Sequence, residues 1–103
     1  MAQVLIQKQR HKIKSIFGII KNPARIEVLK ALQWNDLSYK EINKIIFKTL
    51  GTNTRNICAF HVRELQNYNL MVKNAHNGLY HITVKGLRIL GGIRQIEESE
   101  MFI

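Results

Sequence analysis

The spacing of the apolar residues changes twice along this chain, and that restricts the folds it can adopt. Up to about residue 68 they recur at helical intervals. Leu70 to Lys73 and Leu79 to Thr83 are short apolar or β-branched runs, and after Thr83 the helical interval returns in Leu87, Leu90, Ile93 and Ile96. A 3.6-residue period buries one stripe of a helix, whereas runs this short, bounded by turn residues, read as strands. His76-Asn77-Gly78 lies between the two runs, and Asn-Gly is a strong hairpin signal. The predicted order is α-α-α-α-β-β-α, a mainly α chain with a small β-hairpin, of the α+β class.

Local chemistry places the boundaries. Residues 3 to 20 read as a first helix with Ile6, Ile13, Ile16, Phe17 and Ile20 near one face. Asn22-Pro23 restarts the chain, because Asn caps well and Pro at the first helical position loses no needed hydrogen bond. Ile26, Val28, Leu29 and Leu32 form the stripe of a second helix ending near Trp34, and Asn35-Asp36 is turn chemistry. Ser38-Tyr39-Lys40-Glu41 is a capping box that opens a third helix carrying Ile42, Ile45 and Ile46. Gly51 closes it or its loop, and a fourth helix runs from about 54 to 68 with Cys58, Val62 and Leu65 sharing a face. The 103 residues make one domain, with no repeat or linker to divide them.

Charge points to the partner. The chain has 16 Lys and Arg against 7 Asp and Glu, a net charge of +9. A surplus that large in a short chain suits a polyanion, most often nucleic acid. The first 26 residues hold Lys8, Arg10, Lys12, Lys14, Lys21 and Arg25 without one acid, whereas Glu97, Glu98 and Glu100 cluster near the other end. Cys58 is the only cysteine, no apolar run approaches the roughly 20 residues that span a bilayer, and Met1 to Leu5 lack a secretory layout. The expectation is a cytoplasmic, nucleoid-associated protein with no membrane partner.

The capped helix, the Gly-containing turn and the following helix make a helix-turn-helix candidate at 38 to 68. Its second helix must fit the major groove with N-terminal residues at base edges. That end offers Thr52, Asn53, Thr54, Arg55 and Asn56, with Arg suited to guanine and Asn to adenine. Phe60 suits a thymine methyl, and Arg63 extends the same surface. A hairpin over 70 to 83 would be the wing, with Lys73, His76 and Asn77 at its tip near phosphate or the minor groove.

Three segments carry a resemblance to a known family. Asn22-Pro23-Ala24-Arg25-Ile26-Glu27-Val28-Leu29 resembles the opening of ArsR-type winged-helix repressors. Phe60-His61-Val62-Arg63-Glu64-Leu65, with Asn69-Leu70-Met71-Val72, resembles their recognition helix and its exit; Gly78-Leu79-Tyr80-His81-Ile82-Thr83-Val84-Lys85-Gly86 resembles the second wing strand and the approach to the last helix. The resemblance covers about residues 22 to 92 and implies a winged helix-turn-helix fold in which the first and last helices, 3 to 20 and 84 to 98, pair in a symmetric homodimer. An apolar face on a helix outside the helix-turn-helix core also needs a partner on physical grounds. Ile6, Ile13, Ile16, Phe17, Ile20, Leu90 and Ile93 are the candidate interface residues. The chain departs from the family in a longer stretch from Ile42 to Gly51 and in Asn69, which stands where the family has Gly; Asn tolerates the left-handed conformation better than most residues.

The family's thiolate metal site is missing, since residues 38 to 50 contain neither Cys nor His. Cys58 and His61 read as packing residues, because two ligands do not close a zinc site. No metal or cofactor is expected. A small effector is either lacking or held between the two copies. No phosphate loop, nucleophile elbow or carboxylate pair suggests an enzyme. The function expected is a dimeric, sequence-specific double-stranded DNA-binding transcriptional regulator. The alternatives are an architectural, chromatin-like protein that coats DNA and a winged-helix protein-interaction adaptor.

Overall fold

The structure is a computed structural model that describes residue 18, residues 21–51 and residues 55–101. The first-helix positions Ile6, Ile13, Ile16, Phe17 and Ile20 lie outside the described residues, as do Thr52, Asn53 and Thr54. Within them the order is α1 (Pro23–Leu32), α2 (Tyr39–Leu50), α3 (Arg55–Asn67), β1 (Met71–Lys73), β2 (Tyr80–Ile82) and α4 (Val84–Met101). The described chain is mainly helical with one two-stranded antiparallel sheet, an α+β class. No described helix is long and apolar enough to cross a membrane.

Most helix ends follow the local chemistry. The Asn22 side chain accepts from Ala24 N–H at 3.1 Å, with Pro23 at the first position of α1. The capping box is complete: Glu41 N–H donates to Ser38 Oγ, and Ser38 N–H donates to the Glu41 carboxylate, each at 3.1 Å. Those bonds hold the Glu41 carboxyl below its ordinary range. α2 ends at Gly51, whose φ of 72° lies where an L side chain is strained. α1 stops at Leu32 with Gln33 as its cap, so Trp34 falls in the turn beyond it.

α3 leaves through a Schellman motif. Asn69, at φ 59°, donates to Gln66 C=O at 2.9 Å, and Leu70 N–H donates to Leu65 C=O at 2.9 Å. Thr83 then joins the end of α3 to the start of α4. Its hydroxyl donates to Asn69 C=O at 2.6 Å and accepts from Gly86 N–H at 3.0 Å, which makes Thr83 the N-cap of α4. A Cβ on Gly86 would run into the Leu70 carbonyl and the Ile82 side chain, so glycine there permits α4 to dock closely.

Pairing of the strands sets Met71 opposite Ile82, Val72 opposite His81 and Lys73 opposite Tyr80. The hairpin turn is wider than a two-residue Asn-Gly turn. A type I′ turn needs positive φ at both central residues, and of Asn77 and Gly78 only Gly78 has it, at 71°. Asn74 N–H donates to Leu79 C=O and Gly78 N–H to Asn74 C=O, both at 2.8 Å, enclosing four loop residues. The Asn74 and Asn77 side chains stabilise this loop by accepting from His76 N–H and Leu79 N–H. On its other side β2 meets Leu37: Leu37 N–H donates to Tyr80 C=O at 3.1 Å, and Tyr80 N–H donates to Leu37 C=O at 2.7 Å.

The core draws on every element. Ala24, Val28, Leu29 and Leu32 of α1 meet Ile42 and Ile46 of α2, and Cys58, Val62 and Leu65 of α3. Leu37, Leu70, Met71, Tyr80, Ile82 and Leu90 complete it. Each fully buried aliphatic side chain contributes about 1.5–3 kcal/mol relative to exposure. Leu90, expected at a dimer surface, is only 2% exposed within its own chain and belongs to this core.

Candidate nucleic-acid interface

One face of α3 is committed to the core and the opposite face is left to solvent. Cys58 and Leu65 are fully buried and Val62 nearly so, at the shared register the apolar spacing predicts. The helix therefore has no rotational freedom about its own axis. On its outer side Ile57, Phe60, Arg63 and Asn67 are exposed, with Phe60 at 51%. A half-exposed Phe beside an exposed Arg gives α3 an aromatic and cationic surface. Arg55 and Asn56 stand in its first turn, and their side chains lie outside the description.

A side chain from α1 grips the outer edge of this helix. Arg25 is 7% exposed, and its Nε–H donates to His61 Nδ1 at 2.8 Å. Its guanidinium carbon lies 5.4 Å from the centroid of the Phe60 ring, within cation–π range. The Phe60 and His61 rings meet edge to face at 5.9 Å. Burial, and then the Arg25 charge, hold the His61 imidazolium below its ordinary range, so the neutral ring that accepts from Arg25 is favoured. Arg25 is itself pushed down by burial, partly offset by Glu64 and Tyr68.

This arrangement bears on the possible thiol and metal chemistry of α3. Burial pushes the Cys58 thiol up, against a smaller opposing effect of its hydrogen bond with Tyr39, so the thiolate is disfavoured. His61 Nδ1 is already occupied by Arg25. Among the described residues no group of three His, Cys, Asp or Glu could hold a metal ion.

At the hairpin, Lys73, His76 and Asn77 are all exposed. Lys73 Nζ lies 5.8 Å from the Tyr80 ring, which anchors its stem to the strand while leaving the charge in water. The Asn77 side-chain carbonyl is committed to the loop through Leu79 N–H, leaving its amide group as a donor. His81 on β2 is paired to Asp36 at 2.6 Å, fastening the strand to the turn after α1.

The structure thus puts Phe60 and Arg63 on one helix face and the Lys73, His76 and Asn77 group on the hairpin. Arg25 is the residue whose role the sequence did not reveal, since it counts there only as one more member of a basic segment. A signal was present, because Arg25 falls on the register of Val28, Leu29 and Leu32 and so on the buried stripe of α1. Comparison with protein-family models, with characterised proteins and with solved structures finds no match to this chain.

Proposed function

We propose that this chain is a dimeric winged helix-turn-helix regulator that reads double-stranded DNA by placing α3 in the major groove. The observation that carries the reading is the outer face of α3. Phe60 and Arg63 are exposed on a helix whose other face is fully anchored in the core, and the chain carries a net charge of +9. A rigidly held helix with a spare aromatic and cationic face suits base-edge and phosphate contacts. Arg55 and Asn56 in the first turn of α3 are the base readers in this proposal. Phe60 meets a thymine methyl, and Arg63 and Lys73 meet phosphates.

The element order supports the same reading. α2 ends at a left-handed glycine shortly before α3, and the hairpin that follows has Leu37 paired alongside β2. A helix-turn-helix followed by a hairpin wing, with a short bridge from the segment before the motif, is built in that order. For the dimer, the support lies in α4. Ile89 is packed against the core, Ile93 is half-buried and Ile96 is 60% exposed, so an apolar line continues past the point where the chain covers it. Two copies joined there would set two α3 helices against one palindromic site.

The test is selection of binding sites from random duplexes by the purified protein near physiological salt. Enrichment of a palindrome with half-sites about one helical turn apart is expected. Tight binding without enrichment would replace the regulator with an architectural DNA-coating protein. No binding to any duplex would leave the adaptor.

A further inference from the structure

Arg25 does not behave as a structural arginine should. It stands in the first turn of α1, on the register of the buried stripe, and is 7% exposed. Burying a guanidinium costs solvation that a carboxylate partner normally offsets, and an aliphatic residue packs such a position at least as well. Among the described residues Arg25 makes no ion pair, and the Glu64 carboxylate offsets its burial only in part, from beyond ion-pair distance. Its contacts are instead with two consecutive residues of α3, the acceptor His61 Nδ1 and the face of Phe60. One of those residues is buried and the other lies on the outer face of the helix. A single planar group therefore spans from the core to the surface that the proposed function assigns to DNA.

We propose that Arg25 is a positioning residue for DNA recognition: by holding His61 and the Phe60 ring together, it fixes how α3 presents its outer face to the duplex. This inference rests on the DNA reading and specifies it. A half-exposed Phe on a helix surface would otherwise sample several rotamers, and ordering it on binding would cost affinity. With the guanidinium over it, the ring is set before contact. The role requires a guanidinium in particular. Nε–H supplies the directed bond to His61 while the guanidinium carbon lies over the Phe60 ring, and a lysine ammonium cannot hold both contacts in that fixed geometry.

The variants R25K, F60L and R25K/F60L separate this role from simple packing. For each, affinity is measured on the selected duplex and on a random duplex, and folding is followed by thermal denaturation. R25K keeps the charge, and F60L changes only a half-exposed side chain. Each single variant is expected to lower the ratio of specific to random binding about tenfold, with the double variant no worse than either. A ratio for R25K within twofold of the wild type, or losses that multiply in the double variant, would overturn the proposal. If R25K does not fold, the pH profile of the wild type decides. Protonation of His61 removes the acceptor that Arg25 uses, with Glu64 of α3 and Tyr68 just beyond its end the other titratable groups acting on Arg25. The specificity ratio should then fall on acidification in the wild type and stay flat in H61N, whose Oδ1 still accepts. Equal profiles in the two proteins would exclude the role. If the wild type discriminates no duplex at all, the DNA reading itself fails; if it discriminates and Arg25 is dispensable, only this inference does.

Discussion

α3 and α4 each have a face left over after the core is built, and the two faces differ in kind. The spare side of α3 carries Phe60, Arg63 and Asn67. On α4 the half-buried Ile93 leads to Ile96, 60% exposed on the same side, while Val84 and Leu87, exposed by 65% and 43%, lie on another side, where Leu87 lines an open groove with Trp34. Their anchoring differs as well. α3 sinks Cys58, Val62 and Leu65, whereas among the described side chains of α4 only Leu90 is fully buried, helped by the close approach that Gly86 allows. An aromatic and cationic surface suits a charged, hydrogen-bonding partner, while an aliphatic one suits another apolar surface. On the function proposed above, α3 would meet nucleic acid and α4 a second copy of the chain.

The largest effect should come from the inner face of α3. Leu65→Ala is expected to cost about 2–5 kcal/mol of stability, read as a drop in Tm, while Arg63→Ala on the outer face stays within about 0.5 kcal/mol. Similar losses at both sites would mean that the outer face is structural too. On α4, Ile96→Glu should leave helix content unchanged yet weaken dimerisation by about 2 kcal/mol or more, seen as a shift to monomer in sedimentation equilibrium. A dimer indifferent to that change would place the interface elsewhere.

Smaller effects sharpen the division between reading bases and holding phosphates. Arg55→Ala should cost roughly 1–3 kcal/mol on the selected duplex and little on random DNA, whereas Lys73→Ala should weaken both alike and reduce the salt slope by about 1. The reverse pattern would exchange their roles. The smallest effect is on stability against pH. His61 titrates below its ordinary 6.5 in the folded chain, so below that value the unfolded chain binds more protons. Its contribution is fully present above about pH 6.5 and is lost as pH falls through the lowered folded value. H61N should remove that component of the profile in denaturant titrations, and an unchanged profile would show that His61 is not its source.

Features decided within a few residues are legible in the order of the amino acids alone. Asn22-Pro23, the Ser38 and Glu41 capping box and the left-handed Gly51 each depend on bonds or backbone angles spanning at most four positions. Asn69 adopts the left-handed angle its side-chain type tolerates. The helix registers follow from the same local regularity, as Cys58, Val62 and Leu65 demonstrate. The turn around Asn77-Gly78 is legible as a turn but not as this one, because the Asn74 side chain competes locally for His76 N–H and widens the loop.

Other features depend on which distant segments meet. Leu37 pairs with Tyr80 across two intervening helices, and no local pattern announces a strand of one residue. Arg25 and His61 are 36 residues apart, and only their juxtaposition turns a basic residue of a cationic segment into a buried contact. Leu90 is legible as apolar, but whether its stripe faces its own core or a second chain depends on how closely α4 docks, which Gly86 and the Leu70 carbonyl decide together. By itself the sequence determined most of the helix ends, the order of the described elements and the cationic character of the protein, since these rest on short-range bonding and on composition. Which faces remained exposed was a matter for the tertiary structure, because burial is a property of pairs of segments.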